Sequence, residues 1–96
     1  MGKRRKSREL ALQLLYQLDL QGAASAEPYF DEFWARHPVD AEVRAFVESL
    51  VRGTTLHQEK IDEVIAQYAE NWDMDRMAVV DRNILREGVF ELLWRA

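Results

Sequence analysis

Apolar residues at positions 10, 11, 14, 15 and 18 recur in steps of three and four, with Glu9, Gln13, Gln17 and Asp19 between them. That spacing gathers the apolar set on one helical face and predicts a first helix over about residues 4–21. Gly22 can take the left-handed conformation that ends many helices, so it is the expected stop. Beyond the small residues Ala23-Ala24-Ser25-Ala26, Pro28 suits the first turn of a second helix, which carries Tyr29, Phe30, Phe33 and Trp34. Pro38 disfavours helical geometry at the residue before it, so this helix should end near His37.

A third stripe runs 43, 46/47, 50, 54, 57, 61, 64/65 and 68 without losing phase. It predicts one long helix over about 40–70, capped by Asp40, in which Gly53 costs about 1 kcal/mol against alanine. Two shorter helices broken at Gly53 are the alternative. Asn71 and Trp72-Asp73-Met74-Asp75 read as a tight connection, with Asp73 or Asp75 capping the next helix. This last helix, about 76–95, has Met77, Val80, Ile84, Leu85, Val89, Leu92 and Leu93 as its apolar set. It meets no terminator before Ala96 and reads as a helix cut short. No period-two alternation and no repeat occurs, so the expected fold is all-α, one domain over 1–96 with four to five helices.

Ninety-six residues that are 48% hydrophobic suffice for one core and leave no room for a second domain. Without cysteine there is neither a disulfide nor a thiolate site, which fits a reducing cytoplasm. No apolar run approaches the ~20 residues that span a bilayer. Glu9, Gln13, Gln17 and Asp19 interrupt any secretory-signal reading, and Lys6 stands where a myristoylation start requires Ser or Thr. Catalytic chemistry finds little support. His37 and His57 lack partners at metal-ligand spacing and read as a helix-end residue and a partly buried stripe position. Asp73 and Asp75 are explained by capping, and no phosphate loop or nucleophile elbow is present. The expectation is a non-enzyme with no cofactor and no metal.

Charge changes the picture. The first eight residues hold five cations (Lys3, Arg4, Arg5, Lys6 and Arg8), while positions 9–96 sum to −9. The cluster continues into the first helix without Gly or Pro, so its charges belong to helical turns and not to a tail. There they oppose the positive end of the helix dipole, and Arg4 and Arg8 are like charges at i, i+4. Five basic residues among six consecutive positions also point all round the helix, so a solvated face does not account for them. The arrangement weakens an isolated helix and builds an anion site. Arginine forks suit phosphates, and Tyr16 beside Gln13 and Gln17 is a candidate stacking or hydrogen-bonding group. A boundary role for Tyr16, ring packed and hydroxyl in water, fits equally well. Five phosphate contacts on a single strand would give a log K against log salt slope near −3.5.

Two blocks carry a resemblance. Arg4-Arg5-Lys6-Ser7-Arg8-Glu9-Leu10-Ala11-Leu12-Gln13-Leu14-Leu15-Tyr16 resembles the arginine-rich opening helix of the NusB family of bacterial antitermination factors. Residues 50–93 are similar to the same family in Leu-Val-x-Gly, Ile-Asp-x-x-Ile, Trp72, Arg76-Met77 and Val80-Asp81-Arg82-Asn83-Ile84-Leu85-Arg86. The resemblance implies an all-helical, non-catalytic protein that binds boxA-type single-stranded RNA of ribosomal RNA leaders together with NusE, a small-subunit ribosomal protein. It also implies membership of the RNA polymerase antitermination complex. By position, Lys3, Arg4, Arg5, Lys6 and Arg8 fall on the RNA-contacting segment and Gln13 and Tyr16 on its RNA-facing side. Glu91, in Phe90-Glu91-Leu92, falls on the RNA or NusE surface. Family members continue into further helices that pack on the last one here. Leu92, Leu93 and Trp94 are therefore expected to lie uncovered and to favour a homo-oligomer. The competing readings are a NusB-like RNA-binding domain of a ribosomal RNA methyltransferase, and a helical interaction module with an incidental basic tip.

Overall fold

The computed structural model describes residues 2–68 and 73–95; Asn71 and Trp72 of the expected connection lie outside these. Among the described residues there are five helices and no strand: α1 (Gly2–Gln21), α2 (Glu27–Arg36), α3 (Ala41–Leu56), α4 (Gln58–Tyr68) and α5 (Val79–Trp94). Helix α1 packs on α3 and α5, and α4 packs on α5. None of the helices is long and apolar enough to cross a membrane.

The predicted punctuation is present. Gly22 has φ +62°, and the Ala23 N–H donates to the Leu18 carbonyl at 2.9 Å, closing α1 with a left-handed cap. Pro28 lies in the first turn of α2. At the start of α3 the Asp40 carboxylate accepts the Val43 N–H at 2.8 Å. The core is the predicted α1 face, Leu10, Ala11, Leu14, Leu15 and Leu18, set against Val43, Val47, Leu50 and Val51 of α3 and Ile61 and Ile65 of α4. Phe30, Phe33 and Trp34 complete it from α2, which the Trp34 indole ties to Glu48 at 2.8 Å. Each such side chain contributes about 1.5–3 kcal/mol on burial.

Three expectations need correction. The long helix is interrupted, but at His57 and not at Gly53. His57 leaves helical geometry (ψ 14°), and its ring stacks on Trp94 at 4.3 Å, the same aromatic column that holds Phe90. Gly53 sits inside α3 because a Cβ there would overlap the Phe90 ring, so its value is close approach and not chain breaking. At the far end of the stripe, Tyr68 is 82% exposed and takes no part in the core.

The last helix starts later than expected, at Val79, with Ala78 and no acidic side chain at its cap. Asp73 instead accepts the Asp75 N–H at 3.0 Å and closes a local turn.

The expected apolar face of the last helix holds only in part: Met77, Leu85 and Val89 pack partly buried on the core, but the most deeply buried positions of α5 are mostly polar. Its buried residues are Asn83, Arg86, Glu87 and Phe90, whereas Val80, Ile84, Leu92 and Leu93 are 47–73% exposed. Polar groups can occupy an interior face only if they are paired, and most of these are. Asp19 of α1 accepts from Arg82 at 2.9 Å through two nitrogens, from Asn83 at 2.9 Å and from Arg86 at 3.2 Å. Arg86 also grips Asp62 of α4 through two bonds of 2.8 and 2.9 Å. Arg82 reaches the Met74 carbonyl and Asn83 the Val79 carbonyl, at 2.9 and 2.8 Å. One carboxylate thus joins α1 to α5, and through Arg86 to α4. Burial pushes the Asp19 carboxyl up. The hydrogen bonds from Arg82 and Asn83 and the charges of Arg82 and Arg86 outweigh it and hold the group below its ordinary value.

Glu87 is the exception. It is buried, and one carboxyl oxygen has no hydrogen-bond partner among the described residues. Burial, reinforced by the charge of Glu91 and only partly offset by Arg8, pushes its pKa from 4.5 up to about 8. The folded chain therefore holds a proton that the unfolded chain releases near 4.5, and stability falls as pH rises between 4.5 and about 8. The slope contributed is at most about 1.4 kcal/mol per pH unit. Glu87→Gln removes it: urea midpoints at pH 5.5 and 8 should converge in the variant relative to the parent. Equal pH profiles for the two proteins would exclude a buried neutral Glu87.

Candidate nucleic-acid interface

Lys3 to Arg8 occupy the first two turns of α1, and that first turn contains no acidic residue to complement the dipole. The helix holds nonetheless because its opposite face is anchored from Leu10 onward, and because Ser7, buried among these cations, bonds back to the Lys3 carbonyl at 2.6 Å. The cations are exposed and radiate in different directions, as five basic residues on successive helical positions must.

Their partners divide them. Lys3 reaches Glu42 at 3.0 Å and Asp40 at 3.5 Å at the start of α3. The hydrogen bond to Glu42 and the charges of Asp40 and Glu42 hold the Lys3 ammonium above its ordinary pKa. Arg5 pairs loosely with Glu9 at 3.4 Å along α1. Arg8 crosses to α5, where Nε and a terminal nitrogen bracket the Glu91 carboxylate at 2.9–3.1 Å. That hydrogen bonding, then the Glu91 charge, holds Arg8 above its ordinary range. Arg4 and Lys6 have no carboxylate within 4.0 Å among the described residues, and the Arg4 guanidinium lies 3.8 Å from the Phe46 ring centroid.

Gln13 and Tyr16 lie farther along the same helix, both on its outer surface, with Tyr16 39% exposed. Arg5, Glu9, Gln13 and Tyr16 follow one another at helical spacing, a strip about 16 Å long. Glu91 is joined to the basic cluster directly, through Arg8. Seven of the eight sequence-predicted residues thus lie on α1, the cations in its first two turns and Gln13 and Tyr16 farther along, and Glu91 of α5 joins them through Arg8. Exposed ion pairs such as those of Lys3 and Arg5 contribute about 0–1 kcal/mol, so a phosphate can displace their carboxylates at small cost.

Sequence reading missed two neighbours of this cluster. Phe46, expected only as a core position, is half-buried and carries Arg4 on its ring. Arg95, which follows α5, places its guanidinium 4.9 Å from the same ring and donates to the Ser49 hydroxyl. Neither has a local signal: they lie 42 and 91 positions from Arg4, and only the packing of α1 on α3 and α5 joins them. The histidines are structural, His37 bonding the Phe33 carbonyl at 3.0 Å and His57 stacking on Trp94. Among the described residues no group of three His, Cys, Asp or Glu forms a metal site.

Comparison with known proteins identifies the family and the fold. The family model described as the NusB family matches residues 5–96. The transcription antitermination protein NusB of Koribacter versatilis is 48% identical over 93 residues, covering 96% of this chain and 63% of its own length. Its counterpart in Streptomyces coelicolor is 43% identical, with 98% and 68% covered. The solution structure of NusB from Aquifex aeolicus superposes with TM-score 0.81 at 32% identity, over 97% of this chain and 63% of that one. A chain in the crystal structure of a plectonemic RNA supercoil superposes with TM-score 0.88 at 31% identity, over 99% and 69%. The chain thus spans about two thirds of the length of the relatives it matches. With the family model matching residues 5–96, the chain belongs to the NusB family.

Proposed function

We propose that this chain is the RNA-binding portion of a transcription antitermination factor, acting without catalysis in the cytoplasm. Its ligand is single-stranded boxA-type RNA of ribosomal RNA leaders, taken together with NusE as part of the RNA polymerase antitermination complex. The observation that carries the reading is the packed α1, whose first two turns expose five cations on an otherwise acidic protein. Relatives named transcription antitermination proteins and a structural neighbour from an RNA crystal support it.

Lys3, Arg4, Arg5, Lys6 and Arg8 meet phosphates, while Gln13 and Tyr16 offer a hydrogen-bonding amide and an aromatic face to bases. Glu91 holds Arg8 in a fixed fork until RNA competes for it, and its position at the edge of α5 gives NusE or RNA a second side of the same surface. The outward apolar line of Val80, Ile84 and Leu92 on α5 takes a second copy of the chain, since two such lines can cover each other in antiparallel register.

A boxA-type single-stranded RNA, a scrambled RNA and duplex DNA titrated across salt concentrations test the RNA reading. The parent should prefer boxA-type RNA, with a log K against log salt slope near −3.5, and the variant K3A/R4A/R5A/K6A should lose most of both affinity and slope. A variant of unchanged helix content that binds as tightly as the parent would refute the site. Sedimentation over a concentration series should show a reversible dimer that Ile84→Lys abolishes; a monomer throughout would refute self-association.

A further inference from the structure

Of the thirteen Lys and Arg, ten have a carboxylate within 4.0 Å and three do not, namely Arg4, Lys6 and Arg95, among the described residues. These three gather at one end of the molecule, the start of α1 and the end of α5. Two of them line a groove of about 320 Å³ between α1 and α3, together with Ser7, Phe46 and Ser49. Both guanidiniums rest on Phe46, at 3.8 and 4.9 Å from its centroid, which keeps the two charges within about 9 Å of each other. At the same groove Glu42 is engaged by Lys3 at 3.0 Å, and neither Arg4 nor Arg95 has a carboxylate within 4.0 Å among the described residues.

The groove's chemistry selects its ligand. A ring already covered by guanidinium is not a platform for stacking a base. Two planar forks lining one groove, with the Ser49 hydroxyl bonded to one of them, match the oxygens of a phosphate, which accept such forks bidentately. Ser49 accepts from Arg95 and so keeps its own O–H free to donate. The groove is also continuous with the α1 tip through Arg4, which belongs to both.

We infer that this groove is a backbone-phosphate subsite that leads a single RNA strand from α1 onto α3, with Arg95, Ser49 and Phe46 as residues of the site. The inference rests on the proposal that the α1 tip binds RNA, and it adds the direction in which the strand leaves. Phe46 is the positioning residue: it touches no phosphate itself and sets the two forks at their separation.

The test compares Arg95→Ala, Arg95→Lys and Lys6→Ala with the parent in salt titrations of boxA-type and scrambled single-stranded RNA. Arg95→Ala should flatten the salt slope by about 0.7 and weaken both RNAs by a similar factor of several-fold, the mark of a phosphate contact. Arg95→Lys should restore the slope, because it restores the charge. In the parent, the Phe46 and Ser49 amide resonances should shift when RNA is added, a readout independent of any variant's folding. Loss of binding in Lys6→Ala with Arg95→Ala indistinguishable from the parent would overturn the groove and leave the tip standing. No effect in either would overturn both. Poly-glutamate binding that depends on Arg95 and matches the RNA in affinity would assign the groove to an acidic protein segment instead.

Discussion

Asp19 is the carboxylate on which the arrangement of helices depends. It sits in the last turn of α1, largely withdrawn from water, and takes hydrogen bonds from Arg82, Asn83 and Arg86 of α5. Arg86 then carries the connection to Asp62 of α4. A buried network of this kind is a poor source of net stability compared with hydrocarbon, but it is unforgiving of any missing member. What it supplies is registry: α5 can meet α1 only with Arg82, Asn83 and Arg86 inward. That choice turns Val80, Ile84 and Leu92 toward the outside and brings Glu91 opposite Arg8.

The protein uses its positive charge in two separate ways. Inside, Arg82 and Arg86 are fully committed to carboxylates and serve the fold. At the tip, cations are crowded against the helix dipole and against one another, an arrangement that costs stability and is held by the apolar face from Leu10 to Leu18. The ion pairs there are exposed and exchangeable, and Arg4, Lys6 and Arg95 have none among the described residues. An anion arriving at this end meets charges that the fold does not need.

How much of this could be read from the chain depends on whether the signal was local. The first two helices, the start of the third, the Gly22 stop, Pro28 and the Asp40 cap were legible because each is dictated by neighbouring residues. So were the five clustered cations and the outer positions of Gln13 and Tyr16. The face of α5 was not, because apolar periodicity assumes that water-facing positions are the polar ones. Here Asp19 and Asp62, remote in sequence, draw Asn83 and Arg86 inward beside Leu85, Val89 and Phe90, and leave Val80, Ile84 and Leu92 outside. The interruption at His57 was missed for a related reason: it reflects stacking on Trp94, whereas glycine at 53 drew attention for its conformational freedom and turned out to make room for Phe90. Arg95 and Phe46 joined the basic cluster only in three dimensions.

If interior charge holds the fold and tip charge does not, Asp19→Ala should separate the two in one measurement of urea unfolding at neutral pH. Removing this carboxylate leaves the largely buried Arg82 without its carboxylate and takes one hydrogen bond each from Arg86 and Asn83, and should lower the unfolding free energy by about 3 kcal/mol or more, or leave the chain unfolded. A loss within about 0.5 kcal/mol, as for an ordinary surface substitution, would contradict the account.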